Sequence, residues 1–154
     1  MLQLISLVVF VALMGFIFLG GTSYIPIDKF SELSIKTNII NNYQILKQGQ
    51  MLYREHTDSY LSVPTWKTDI AHYTFIPKDS YDLTWEYNKN GLGYYFCLTG
   101  NVNDSIVYSS LVNIGDKMGA NSYYVNETCG SSINFLIAPD LSTSPKVSAT
   151  FFIK

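Results

Sequence analysis

The sequence predicts an α+β fold, in which a long N-terminal helix, hydrophobic at first and then amphipathic, packs on an antiparallel β-sheet. Residues 1–26 open with an uncharged hydrophobic run, and residues 28–56 repeat apolar side chains every three to four positions, the helical period. Residues 83–153 hold short aromatic and β-branched runs separated by Asn- and Gly-containing turns, which favours strands. The 154 residues therefore divide into a hydrophobic segment, 1–26, and one globular α+β domain, 27–154.

The hydrophobic segment has the length of a membrane helix. Its first 21 residues carry no charge, and at about 1.5 Å per residue they span roughly 30 Å, the thickness of a bilayer core. A cleavable signal peptide is disfavoured because the first basic side chain is Lys29 and the apolar run is too long. An ordinary signal anchor and an already processed N-terminus both fit the length, and processing also explains the missing basic start. Gly20, Gly21 and Pro26 predict a kink or break in this helix.

Residues 4–16 resemble the N-terminus of a mature bacterial type IV pilin. That family has a similar run of Leu, Ile and Val, with a glycine nine residues after a conserved glutamate. Gly15 matches the glycine, and Ser6 stands where the family has the glutamate. In the family the glutamate neutralises the charged N-terminus of a neighbouring subunit, a contact that Ser6 cannot make. Residues 50–60, followed by Pro64, resemble the helix exit of many pilins and pseudopilins.

The resemblance implies a structural subunit and not an enzyme. The chain would be anchored in the inner membrane, processed by a prepilin peptidase, methylated, and moved by the assembly machinery into an extracellular filament that serves cell adhesion. Its partners would be further copies of itself or other pilins, and it requires no cofactor. The residues expected to pack in the filament core are Leu4, Leu7, Phe10, Leu13, Gly15 and Phe16. A pseudopilin of a secretion system and a membrane-anchored extracytoplasmic binding domain are the alternatives, and a major or minor subunit is equally compatible.

The globular domain is predicted to begin with the amphipathic helix, capped by Asp28 and stopped at residues 57–59. Residues 61–80 are predicted to be irregular, residues 88–91 to form a turn, and residues 106–112 to be either helix or strand. The strand candidates are 83–87, 93–98, 122–125, 134–137 and 147–153.

The two cysteines, Cys97 and Cys129, predict one disulfide, because an anchored and exported domain lies in an oxidising compartment. Two buried free thiols are the alternative. Neither cysteine has a spacing to other cysteines or to histidines that suggests zinc.

The remaining polar residues favour a surface role over chemistry. His56 and His72 have acidic neighbours, yet solvated surface histidines explain them better than a base or ligand. Asp104 and Asp116 lack the spacing of a calcium loop, and turn chemistry accounts for them. The net charge of −2 and the absence of a basic cluster argue against nucleic-acid binding.

Two further features leave a choice open. Asn103 and Asn126 begin N-glycosylation triplets, which we treat as markers of the surface. Trp66 and Trp85 fit either a sugar-binding or adhesive surface or ordinary packing in the sheet, and packing is favoured.

Overall fold

The computed structural model describes residues 27–119 and 121–153. The predicted membrane segment therefore lies outside the described residues, together with the filament-core residues Leu4, Leu7, Phe10, Leu13, Gly15 and Phe16 and the break at Gly20, Gly21 and Pro26. The chain divides into two compact units, of which the second, Glu32–Lys154, contains all of the described core. In the first unit, the described residues are helical, and Ile27 and Phe30 are exposed.

Helix α1 runs from Ile27 to Thr57. From Ile39 onward one face is buried, at positions spaced three to four residues apart: Ile39, Tyr43, Leu46 and Gln50. Asp28 is already inside the helix, so its prediction as the cap is wrong. The predicted stop is confirmed, because Asp58 takes a left-handed conformation (φ 55°) and its N–H donates to the Arg54 carbonyl at 2.8 Å.

The sheet has four antiparallel strands: β1 (Leu83–Asn90), β2 (Gly93–Asn101), β3 (Tyr123–Asn126) and β4 (Lys146–Phe152), arranged in the order β1-β2-β4-β3. The long helix and antiparallel sheet confirm the predicted α+β class. β1 and β2 form a hairpin in which Asn90 pairs with Gly93, leaving Gly91 and Leu92 as the turn. The predicted turn at 88–91 is therefore displaced, because Asn88–Asn90 extend the ladder.

Two short α-helices and one 3-10 turn, Leu141–Thr143, complete the described secondary structure. Helix α2 (Trp66–Ile70) interrupts the stretch predicted to be irregular, and helix α3 (Ser105–Ile114) settles the undecided residues 106–112. Asp104 caps α3, since its carboxylate accepts a 2.7 Å hydrogen bond from the Ile106 N–H. The predicted strand at 134–137 is wrong. Only its first two residues bond to the edge of β3, and they do so at Val125 alone, which is too little for a ladder.

The core lies between α1 and one face of the sheet. Tyr43 stacks on Phe151 of the central strand β4, with ring centroids 4.5 Å apart. Trp85 packs on the same Phe151 ring, and Trp66 packs against Phe96. Both tryptophans are buried, so they serve packing, and a sugar-binding or adhesive surface built on them is excluded.

Polar contacts fix α3 beside α1. The Asn113 amide donates to the Glu32 carboxylate, and Lys36 donates to the Asn113 backbone carbonyl. Tyr123 of β3 donates its hydroxyl to the Leu111 carbonyl of α3. Burial holds the pKa of Tyr123 well above 10.0, so the phenol stays protonated and keeps this bond.

Along residues 27–119 and 121–153, no helix combines the length and the apolar composition that crossing a bilayer requires.

Candidate interaction surface

The predicted disulfide joins Cys97 of β2 to Cys129 just after β3, with the two Cα atoms 5.8 Å apart. It lies on the sheet face opposite α1, where Tyr95, Cys97 and Phe152 form a second buried cluster. We call residues 127–131 the strap, because they cross this face and cover its centre. The disulfide therefore ties the chain after an edge strand to the middle of the sheet.

Hydrogen bonds hold the strap to the sheet beneath it. The Gly130 N–H donates to Thr150 Oγ1 at 2.9 Å, and the Ser148 hydroxyl donates to the Glu127 carbonyl at 3.0 Å. Asn90 at the end of β1 donates its amide to the Gly130 carbonyl at 2.8 Å. Gly130 has a left-handed backbone (φ 79°) and lies against the Tyr95 ring, so a side chain there would be strained on both counts.

The residues that follow the strap expose apolar side chains in a fixed loop. We call residues 133–137 the apolar loop. Leu136 is 94% exposed, Ile137 84% and Ile133 61%. Such exposure of large aliphatic side chains on consecutive residues is characteristic of an interaction surface.

The apolar loop is anchored on the edge strand β3. The Val125 N–H donates to Asn134 Oδ1 at 2.8 Å, and the Phe135 N–H donates to the Val125 carbonyl at 2.8 Å. The Asn126 amide also donates to the Ile133 carbonyl at 3.0 Å. An Asn side chain and one backbone N–H thus occupy the outward hydrogen-bonding groups of Val125, which protects part of this edge from pairing with another strand.

Two shallow recesses flank the loop. The smaller, about 130 Å³, lies between α3 and β3 and is lined by Tyr108, Val112, Gly115, Tyr123, Val125, Asn134 and Phe135. The larger, about 270 Å³, is lined by Leu92, Asn121, Tyr124, Ser132, Phe152 and Ile153, and we call it the recess. None of the described residues that line the two recesses is charged.

A column of tyrosines lies near the end of α1. Tyr60 stacks on Tyr94 with centroids 4.1 Å apart, and Tyr94 lies nearly parallel to Tyr87 at 5.9 Å. The Arg54 guanidinium sits 4.8 Å from the Tyr60 ring centroid and donates to its hydroxyl at 3.1 Å. Burial raises the pKa of Tyr87, and the neighbouring tyrosines raise it further. Within the described residues, the Tyr87 hydroxyl and both polar atoms of the Gln50 amide are buried without a hydrogen-bond partner in the protein.

The residues with catalytic potential are exposed or serve the fold. His56 and His72 are both exposed, and His56 lies against the Tyr73 ring at 5.4 Å. Asp104 is used as a helix cap, and Asp116 is exposed. Across the described part of the chain, no three His, Cys, Asp or Glu side chains are grouped closely enough to hold a metal ion.

The two glycosylation triplets differ in accessibility. Asn103 is exposed, whereas the Asn126 amide is engaged with Ser131 Oγ at 3.2 Å and with the Ile133 carbonyl. Modification at Asn126 would cost the contacts that hold the apolar loop.

No protein-family model matches the chain, and no curated protein or solved structure is significantly similar to it.

Sequence reasoning placed the disulfide correctly but missed the apolar loop, which it predicted to be a strand. The available signal was in the flanking residues. Ser131 and Ser132 precede the loop and Pro139 follows it, which leaves only a short apolar run between turn-forming residues.

Proposed function

We propose that this chain is a structural subunit of an extracellular, type IV pilus-like filament, assembled through its hydrophobic N-terminal segment. In this proposal α1 and the sheet form a pilin-like roll, residues 1–26 pack with those of other copies in the filament core, and the domain acts without catalysis or cofactor. Before assembly the chain is anchored in the inner membrane and is processed by a prepilin peptidase.

One observation carries the proposal. An uncharged hydrophobic segment leads in sequence directly into a long helix, whose later half is buried against a disulfide-bonded antiparallel sheet. An anchor made of one segment can hold many copies side by side, because association buries apolar surface that otherwise faces lipid or water. The exposure of both histidines and the burial of both tryptophans support a role through surfaces and not through a reaction.

The test uses the full chain, expressed with its assembly machinery and labelled with an antibody against the globular domain. Electron microscopy should show labelled thin filaments for the unaltered protein. Leu13→Asp and Phe16→Asp should abolish them while the protein remains at normal abundance, because a buried carboxylate in an apolar helix bundle is strongly unfavourable. Leu13→Met is the matched control and should assemble normally.

Two results would contradict the proposal. Normal filaments that contain the Leu13→Asp protein would refute packing of this segment in the core. If the antibody labels the membrane uniformly and the unaltered protein forms no filament, the result would favour the anchored binding domain instead. A pseudopilin would give the same core defect but would require a secretion system for assembly, so removing that system separates the two.

A further inference from the structure

From the geometry of the strap and its neighbours we infer that the apolar loop is a docking element, and that it inserts into the recess of a second copy of this chain. The inference rests on the proposed function, because it names the contact between globular domains of adjacent subunits.

The apolar loop is fixed in a conformation that keeps its apolar side chains in water. Three hydrogen bonds from Val125, Asn126 and Phe135 hold the loop on β3, and the Cys97–Cys129 disulfide holds the strap immediately before it. Phe135 turns inward and packs edge-on against Tyr108, at 6.4 Å between centroids. Leu136 and Ile137 come directly after this anchor and project outward. A loop already held in its binding conformation loses little entropy on docking.

From Thr128 to Pro139 the chain carries no charged side chain, and the next acid is the exposed Asp140. A docking partner must therefore offer an uncharged apolar surface, since a charged one would be desolvated without compensation. A membrane surface is disfavoured, because loops that insert into anionic lipid need basic residues beside the apolar ones, and this stretch has none.

The chain itself presents such an uncharged apolar surface. Among the described residues, the recess is lined by Leu92, Tyr124, Phe152 and Ile153 together with Asn121 and Ser132, none of which is charged. Its volume of about 270 Å³ accommodates an aliphatic side chain. Leu92 at its rim is itself largely exposed in the β1–β2 turn. An apolar protrusion and an apolar recess on one chain are complementary surfaces, and in a filament each copy meets others at high local concentration.

The inference is tested with a photo-crosslinking amino acid in place of Leu136, in the full chain under conditions of filament assembly. We expect a product of twice the chain mass, with the crosslink on peptides that contain Leu92, Tyr124 or Phe152. The matched control carries the same amino acid at Phe75, which is also a large, exposed apolar residue (65%) and is distant in sequence from the loop and from the residues that line the recess.

A second variant checks the recess directly. Leu92→Lys places a charge at the rim on an exposed turn, where the fold tolerates it, and it should lower the yield of the Leu136 crosslink at least tenfold. Phe75→Lys should leave that yield unchanged. Circular dichroism and melting temperature confirm that each variant is folded.

The inference is overturned by a crosslink to lipid, to a different protein or to another part of the second copy. It is equally overturned by a yield no higher than that from Phe75, or by a yield that Leu92→Lys does not change. Filaments of the unaltered protein that form while the Leu136 crosslink is absent would overturn this contact alone. An unaltered protein that forms no filaments would refute the proposed function, whatever the crosslink shows.

Discussion

The loss of stability on removing the disulfide can be worked out directly from the structure. Replacing both cysteines, as in Cys97→Ala/Cys129→Ala, removes a crosslink between residues separated by 32 positions. The chain-entropy relation for a loop of this length gives about 3.7 kcal/mol at 25 °C. For a domain of this size that corresponds to a fall in melting temperature of roughly 10 to 20 °C.

The measurement uses residues 27–154, since every described buried hydrophobic residue lies between Ile39 and Phe152. Thermal and urea unfolding are compared for the unaltered domain, the double variant and Thr128→Ala, an exposed neighbour that serves as the control. If the crosslink acts on the unfolded chain, the double variant also has a larger urea m-value, because its unfolded state exposes more surface. Unchanged melting, an unchanged m-value and titratable thiols in the folded unaltered domain would refute the reasoning.

Two further predictions concern substitutions at Tyr123 and Gly130. Stability should fall as pH rises above about 10, because Tyr123 is held neutral in the fold with a raised pKa while the unfolded phenol ionises near 10.0. Tyr123→Phe removes the hydrogen bond to the Leu111 carbonyl and should lower the free energy of unfolding by about 1 kcal/mol at neutral pH. In unfolding titrations the same variant should lose less stability at alkaline pH than the unaltered domain. An unaltered alkaline profile would contradict this. Gly130→Ala should lower the free energy of unfolding in urea by about 2 kcal/mol, because the new methyl would lie 2.6 Å from the Tyr95 hydroxyl on a backbone with φ 79°. Gly91→Ala is the control and should leave stability unchanged, because the space around Gly91 is open. Equal costs at the two glycines would show that the strap does not press on Tyr95.

The long helix and the β1–β2 hairpin could be predicted because their patterns extend over many residues and leave few alternatives. The disulfide could be predicted because only two cysteines exist to form it. By contrast, residues 106–112 contain apolar side chains that satisfy helical and strand periods alike. The choice is made by the local Asp104 cap and by tertiary hydrogen bonds between Asn113 and α1.

The apolar loop shows why part of the candidate surface was beyond sequence reasoning. Residues 133–137 have a strand-like composition, and only the fold shows that the Val125 N–H of β3 donates to the Asn134 side chain instead of to a paired strand. Nor does the sequence indicate that Leu136 is exposed, because the exposure of Leu136 depends on the packing of its neighbour Phe135 against Tyr108. Sheet order is likewise set by long-range pairing, which local patterns do not encode.

The central position of β4 has a consequence for the timing of folding. β2 and β3 do not pair with each other, and each bonds only to β4 on the side that faces the middle of the sheet. Until residues 146–152 have been synthesised, β1 and β2 can pair as a hairpin, but Tyr43 of α1 lacks the Phe151 ring on which it stacks. A chain synthesised from its N-terminus therefore cannot complete the sheet until residues 146–152 have been made, and a copy truncated before β4 has nothing to join β3 to the β1–β2 hairpin.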